Sequence, residues 1–407
     1  MRIIRASWLS LIVGLPAGVR ADNYSLHGYV DWRGVDAPEE VSWTKGGLGK
    51  TRFGGDEVAT RFGGAAAIGR AQLTPSLQAM ADVQLQTSAD PTVNVVEAWL
   101  RYRPVSLSPW RWSVKAGEFF PQLSMENSAI GWTSPWTLTP SAINSWIGEE
   151  LRIIGSDAQL EWRGDANTLE GSVALYTAND PTGTLLAERG WSLSDLSYGL
   201  GSRVREPDVI VSDYGETPPV RYNPFQEIDG RPGWYAHLAW HSREFGEVTL
   251  LRYDNDADGS ARTLENGVDV FAWHTRFWSL GARTDSGPLT WIAQAIDGST
   301  VFQPSTTLDL NTRFQSAFLL AGWNRGNWRP ALRWDYFGTQ GTNYEEGPRP
   351  GEHGMAFTAA LNWQARSWLR LTAEALRVES AREPRSEYGL DPKSIDTQLQ
   401  LSARLLY

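Results

Sequence analysis

"DTQLQLSARLLY", Asp396–Tyr407, sorts by parity. Thr397, Leu399, Leu401, Ala403, Leu405 and Tyr407 fall on one side, and Gln398, Gln400, Ser402 and Arg404 on the other. A strand sends successive side chains to opposite faces, so this segment reads as a strand with one apolar and one polar face. The same alternation recurs at 77–86, where Leu77, Ala79, Ala81, Val83 and Leu85 oppose Gln78, Met80, Asp82, Gln84 and Gln86. At 328–336, Trp328, Pro330, Leu332, Trp334 and Tyr336 oppose Arg329, Ala331, Arg333 and Asp335. Aromatics end the apolar faces and small aliphatics fill the middle, as lipid contact between two interfacial belts requires.

Working outward, the pattern predicts sixteen strands, at about 24–33, 60–73, 77–88, 94–104, 111–120, 151–163, 168–178, 233–243, 246–256, 270–283, 288–299, 314–325, 328–338, 354–365, 369–380 and 396–407. The ninth, tenth and fifteenth alternate imperfectly. Tight turns rich in Gly, Asn, Asp, Ser and Pro join alternate pairs, at 74–76, 164–167, 244–245, 284–287, 325–327 and 365–367. Most other connections are long: 34–59, 121–150, 179–232, 300–313, 339–353 and 381–395. The connection at 89–93 is short and breaks the rule. Short turns at one rim and long loops at the other describe an all-β transmembrane antiparallel barrel. Sixteen strands enclose more volume than side chains fill, so a wet lumen is expected.

Composition agrees. The mean hydropathy of −0.36 is low, which a barrel tolerates because only alternate residues meet lipid. The 21 Trp and 13 Tyr suit aromatic girdles. A net charge of −10 speaks against nucleic acid as a partner. Residues 1–21 read as a cleaved signal peptide: Arg2 and Arg5, an apolar run over Ala6–Leu15, and a small-residue site ending at Ala21. Without any Cys there is neither a lipoprotein anchor nor a disulfide framework. Residues 22–407 then form a single barrel domain.

A leader, sixteen alternating strands and a terminal aromatic together resemble the bacterial outer-membrane porins, over essentially the whole mature chain. In that family the last residue is usually Phe and is part of the signal read by the barrel-assembly machinery, and Tyr407 keeps the ring. The resemblance implies a cell-outer-membrane location among lipids and lipopolysaccharide, and a homotrimer. It also implies a third external loop folded inward as a constriction. Here that loop is 121–150, which contains "GWTSPWTLTPSAINSWIGEE" (131–150). Its three tryptophans would make a poor exposed surface. Thr139 is placed to cap a helix with Pro140 at its first position, and Ala142, Ile143, Trp146 and Ile147 fall on one face. Glu126, Glu149 and Glu150 are left to face water. Strands two, four and five project Arg70, Arg101, Arg103, Arg111 and Lys115 from their polar faces. Acids on the loop against bases on the wall would set a transverse field. The expected constriction set is therefore these three acids, these five bases and Trp146.

Other motifs carry less. "DNDADGSARTLE", Asp254–Glu265, fits a calcium loop, with oxygens from Asp254, Asp256, Asp258, Ser260 and Glu265. Its flanks read as strands, so an acidic hairpin loop competes with that reading. "TKGGLGKT" (44–51) has Thr44 where a phosphate loop needs Gly. His237 and His241 share a strand face, but four residues is roughly 13 Å, too far for one metal.

The expected function is passive diffusion of small hydrophilic solutes through a water-filled channel, with no enzyme activity and no cofactor unless calcium occupies that loop. Inward Arg329, Arg333, Arg370 and Arg404 add a mild anion preference. Two other classes fit the strand pattern: a barrel-embedded lipid hydrolase, and a secreted Trp-rich β protein that binds glycans.

Overall fold

The computed structural model describes residues 20–21, 23–213, 215–305, 309–343 and 347–407. Its barrel strands are β1 (Tyr24–Asp36), β2 (Val58–Thr74), β3 (Leu77–Leu85), β4 (Val93–Tyr102), β5 (Trp110–Phe119), β6 (Ile153–Arg163), β7 (Asn167–Thr177) and β8 (Gly233–Ser242). The circuit continues with β9 (Gly246–Asp254), β10 (His274–Ser286), β11 (Leu289–Phe302), β12 (Leu310–Trp323), β13 (Trp328–Asn343), β14 (Gly347–Arg366), β15 (Leu369–Arg382) and β16 (Lys393–Leu406). Each pairs antiparallel with the next, and β16 closes on β1 from Tyr29↔Leu406 to Asp36↔Leu399. All sixteen expected strands are present. The leader reading of 1–21 lies outside the described residues except for Arg20 and Ala21, which pair with Ser25 and Tyr24.

Several strands run further toward the long-loop rim than alternation indicates. β13 and β14 stay paired as far as Asn343↔Gly347. Beyond the bilayer both faces of a strand meet water, so the apolar period vanishes. The ladder continues because unpaired backbone groups remain costly.

Outward side chains make an apolar band. Leu332, Leu399 and Leu401 are exposed on the outer wall, as are Val83, Leu238 and Leu280. Near the short-turn rim the band ends in Tyr102, Trp110, Trp112, Trp323, Trp328 and Trp363. Trp328 and Trp363 are register partners, with rings stacked at 5.3 Å. Toward the other rim stand Trp234, Trp278, Trp334 and Phe357. This is the double girdle of a membrane barrel, with short turns on the periplasmic side and long loops outside.

The inner face is divided between a polar and an apolar half, a division the expectation of a wet lumen did not contain. Strands β3–β7 point Asp82, Gln84, Lys115, Asp157 and Ser172 inward. Strands β10–β15 instead bury Phe277, Ile292, Phe314, Phe318, Phe337 and Leu376. The imperfect alternation has the same origin. At Leu250-Leu251 and at Phe277-Trp278, one residue faces lipid while its neighbour packs inside. In the fifteenth strand Leu376 and Val378 sit on the inner face where a polar residue is expected.

Candidate functional site

The third external loop, 120–152, lies inside the barrel against that apolar half-wall. Its helix α1 (Ala142–Glu150) is buried at every residue. The cap differs from expectation: Ser141, not Thr139, closes the first turn, its Oγ accepting from Asn144 N at 3.3 Å. Wall and loop carboxylates satisfy neighbouring donors, where the helix dipole favours negative charge. Asp335 accepts from Ala142 N (3.2 Å), Glu126 from Ser141 N (2.8 Å), and Glu374 from Leu138 N (2.6 Å) and Thr139 N (3.1 Å). Trp146 packs its ring against Phe314 (5.2 Å), Phe277 (5.6 Å) and Trp191 (6.1 Å). Trp136 lies so close to Gly322 on β12 that a Cβ there would come within 2.2 Å of its ring. Trp132 stacks on Phe120 at 4.0 Å.

The fourth external loop, 178–232, folds inward too, and sequence reasoning missed it. It carries α2 (Thr184–Glu188) and α3 (Asp208–Asp213), and buries Leu185, Leu186, Trp191, Leu193, Leu196 and Tyr198. The signal was present in "TLLAERGWSLSDLSYGL" (183–200 less its first glycine), whose apolar side chains are as ill-suited to a surface as the third loop's tryptophans. Trp191 donates Nε1–H to Gly338 O at 3.0 Å and its backbone N–H to Glu352 at 2.9 Å. The first loop joins in through Lys50, the last lysine of the phosphate-loop look-alike, which ion-pairs with Glu352 and donates to Trp191 O at 3.0 Å.

These contacts correct the expected charge arrangement: the three loop acids are buried and bonded, not facing water. Glu126 meets Arg333 Nη1 of β13 at 2.7 Å, and Arg333 also bonds Asp335 (2.8 Å), Thr139 O (2.7 Å) and Pro140 O (3.0 Å). Glu149 is held by Arg189 (2.6 Å) and Ser194 Oγ (2.8 Å) of the fourth loop. Glu150 accepts from Trp146 Nε1 (2.6 Å), Leu185 N (3.0 Å), Gly183 N (3.2 Å) and Tyr222 OH (3.0 Å). Burial outweighs these donors and pushes its carboxyl up to about 7.

Among the described residues none of the five expected bases touches these acids. Arg101 and Lys115 are register partners on β4 and β5, Arg101 over Trp99 and Lys115 over Phe119. Arg111 pairs with Glu161 at 2.6 Å. Arg70 is exposed at the periplasmic end of β2, and Arg103 is exposed just past the end of β4. So the loop acids and wall bases do not face one another across a gap.

The calcium-loop oxygens do not converge either. Asp254 and Asp256 lie near His274, their ligand atoms within 4.8 Å of one another. Asp258 pairs with Arg231 at 3.0 Å, and Glu265 with Arg203 at 3.2 Å. The cause is local: Arg262–Glu265 forms a hairpin with Val268–Phe271, so the second half of the motif is extended where a calcium loop must coil. At the seam, Tyr407 exchanges backbone hydrogen bonds with Gly28 at 3.1 and 3.2 Å.

No family model matches the sequence, and no curated protein matches it. Solved barrels do match the fold. The outer membrane channel DcaP of Acinetobacter baumannii superimposes with a TM-score of 0.55 at 11% identity, covering 96% of this chain and 100% of that one. OmpF of Salmonella typhi, in complex with daunomycin, gives 0.51 at 12%, covering 96% and 100%. A loop-deletion mutant of OmpT, an outer membrane protein of Vibrio cholerae, gives 0.50 at 9%, covering 94% and 99%. Strand parity, closure and the outward apolar band agree with these likenesses: the architecture is porin-like, a sixteen-stranded transmembrane barrel of the outer-membrane type.

Proposed function

We propose that the protein is a channel for passive diffusion of small hydrophilic solutes, narrowed by its third and fourth external loops acting together. The observation that carries this reading is the polar half-wall. Asp82 Oδ1, Glu118 Oε1 and Arg101 Nε have no protein partner. Lys115 and Asp157 also stand there, away from the strands against which the loop helix mainly packs, Leu310–Trp323 and Trp328–Asn343. Buried charged groups without protein partners are costly, which favours a hydrated path beside them over a dry core. On this reading the solute path lies beside the polar residues of β3–β7, on a side that both loops also touch, Gln84 donating to Gly131 O at 3.0 Å and Gln86 accepting from Ser197 N at 3.1 Å.

The anion preference expected from four inward arginines loses two of its supports. Arg333 is neutralised by Glu126 and Asp335, and Arg404 by Asp31 at 2.9 Å. Homotrimeric assembly belongs to the same proposal, and the mass of the extracted particle after subtraction of bound detergent tests it. The function itself is tested by reconstitution into planar bilayers, where discrete conductance steps are expected. A silent bilayer at protein loads where a known porin conducts would sink the reading.

A further inference from the structure

Above the loops, on the external side, is a cavity of about 840 Å³ between the fourth loop, the 262–271 hairpin, the rims of β11–β15 and the loop after β15. That size suits a small organic molecule. Its charge is one-sided: Glu188, Glu206, Asp213, Glu216, Asp269 and Glu387 line it, against the single guanidinium of Arg382. Asp269 is paired with Arg262 at 3.0 Å, and Arg382, whose Nη2 donates to the Glu188 carbonyl, offsets only part of the remaining charge. Glu188 Oε2 is buried and has no hydrogen-bond partner. An unpaired buried carboxylate is costly, and a proton or a bound cation relieves it.

Five of the other lining residues are aromatic. Trp273 stacks on Phe302 at 5.0 Å, and Phe271 meets Phe302 edge-on at 4.8 Å. Tyr222 and Tyr388 also line it, among aliphatic and threonine side chains. Carboxylates beside aromatic faces are the surroundings that hold organic ammonium groups, by charge and by the negative ring faces together. A hydrated metal ion would use the carboxylates but gain nothing from the rings.

We propose that this external vestibule is a binding site for organic cations, amines or quaternary ammonium compounds, with Glu188 and Glu206 as its central anions. The inference names the solute class for the channel reading and rests on it for any consequence in transport.

The two central carboxyls also make the site pH-sensitive. Burial first, then the neighbouring Glu216, pushes Glu206 up to about 7. Burial and then Glu206, with Glu150 and Glu216 adding to it against Arg382, raise Glu188 well above the ordinary range. The other charged groups facing the cavity are Asp213, Asp269 and Glu387, with the Tyr222 and Tyr388 hydroxyls. As pH falls through about 7 Glu206 becomes neutral and the attraction fades.

The test is calorimetric titration of the full-length protein in detergent with hexamethonium, with 1,6-hexanediol as the uncharged comparison. At pH 8 hexamethonium is expected to bind and the diol not to. Affinity is expected to fall at least tenfold at pH 5.5, and likewise in the Glu188→Gln/Glu206→Gln variant. Glu244→Gln, an exposed change in a periplasmic turn, is expected to leave it unaltered. Absence of hexamethonium binding, equal binding of the diol, or unchanged affinity in the double variant overturns the inference. Bilayer recordings on the same preparation separate the two readings. Protein that binds but never conducts keeps the site and loses the channel, whereas protein that conducts without binding does the reverse.

Discussion

Arg333 shows what a single inward residue does in this barrel and how much of that a sequence conveys. Parity in β13 predicts that it points inward, and it does. Its partner Glu126 is 207 positions away, and no local pattern links them. The side chains of the pair, and of Asp335, are fully buried. Removing the guanidinium would strand two carboxylates in a desolvated site, a cost of about 3–5 kcal/mol. Arg333→Met is therefore expected to lower the urea midpoint of the refolded barrel substantially. Adding Glu126→Gln to Arg333→Met is expected to recover part of that loss, because one of the two orphaned carboxylates is gone. If the double variant is less stable than the single one, the pair is not the main term. Gly28 makes a steric case at the same scale. A Cβ there would lie 2.3 Å from Ala66 O and 2.5 Å from the Tyr407 ring, across the closing seam. Gly28→Val is expected to cut the yield of folded, heat-modifiable barrel on gels, and Tyr407→Phe to leave that yield intact.

At the scale of elements, the strands were legible and the loop contacts were not. Each strand carries its own period, so sixteen of them could be read one at a time. The third loop was readable as an inward segment because tryptophan has no business on a wet surface. The fourth was passed over as a long connection although the same reasoning applied to Trp191 and its neighbours. The constriction set failed because it paired acids and bases by expected position. In the fold the acids are consumed by Arg333 and by the fourth loop. That loop is tethered by Asp195, which bonds Arg33 of β1 at 2.6 Å and Arg52 of the first loop at 3.0 Å. Burial alone would raise the Asp195 carboxyl, but the two guanidiniums override it and hold the group well below the ordinary range. A depressed folded pKa contributes stability above the unfolded value near 3.8 and loses it as pH falls through the folded one. The fourth loop is thus expected to resist protease at pH 5–8. Asp195→Asn should loosen it at neutral pH, by about 3 kcal/mol, exposing the 203–205 arginines to trypsin. Equal cleavage rates in the variant and the parent protein at pH 8 would show that the tether contributes little.

The whole molecule is electrically polar along its axis, which residue-by-residue reading of the lumen concealed. Outside lies the carboxylate-lined vestibule of Glu188, Glu206, Asp213, Glu216, Asp269 and Glu387. At the periplasmic end Arg70, Arg101, Arg103, Arg329 and Arg370 make no ion pair among the described residues. A conduit with anionic groups at one mouth and cationic groups at the other does not pass current symmetrically. With the external side positive, cations enter through the acidic mouth and anions through the basic one, so both accumulate inside and conductance rises. With the polarity reversed each mouth repels the ion driven into it, and the interior is depleted. The mouths act over a Debye length, about 10 Å at 0.1 M and 3 Å at 1 M, so the asymmetry depends on salt. Oriented single channels in 0.1 M KCl are expected to carry the larger current with the external side positive, and to approach symmetry at 1 M. Arg329→Gln/Arg370→Gln should bring the two polarities closer by weakening the basic mouth while leaving the vestibule as it is. Symmetric currents at 0.1 M, or a larger current with the external side negative, would show that the fixed charges at the mouths do not govern ion flow. The narrowing between the third and fourth loops would then be the element that does.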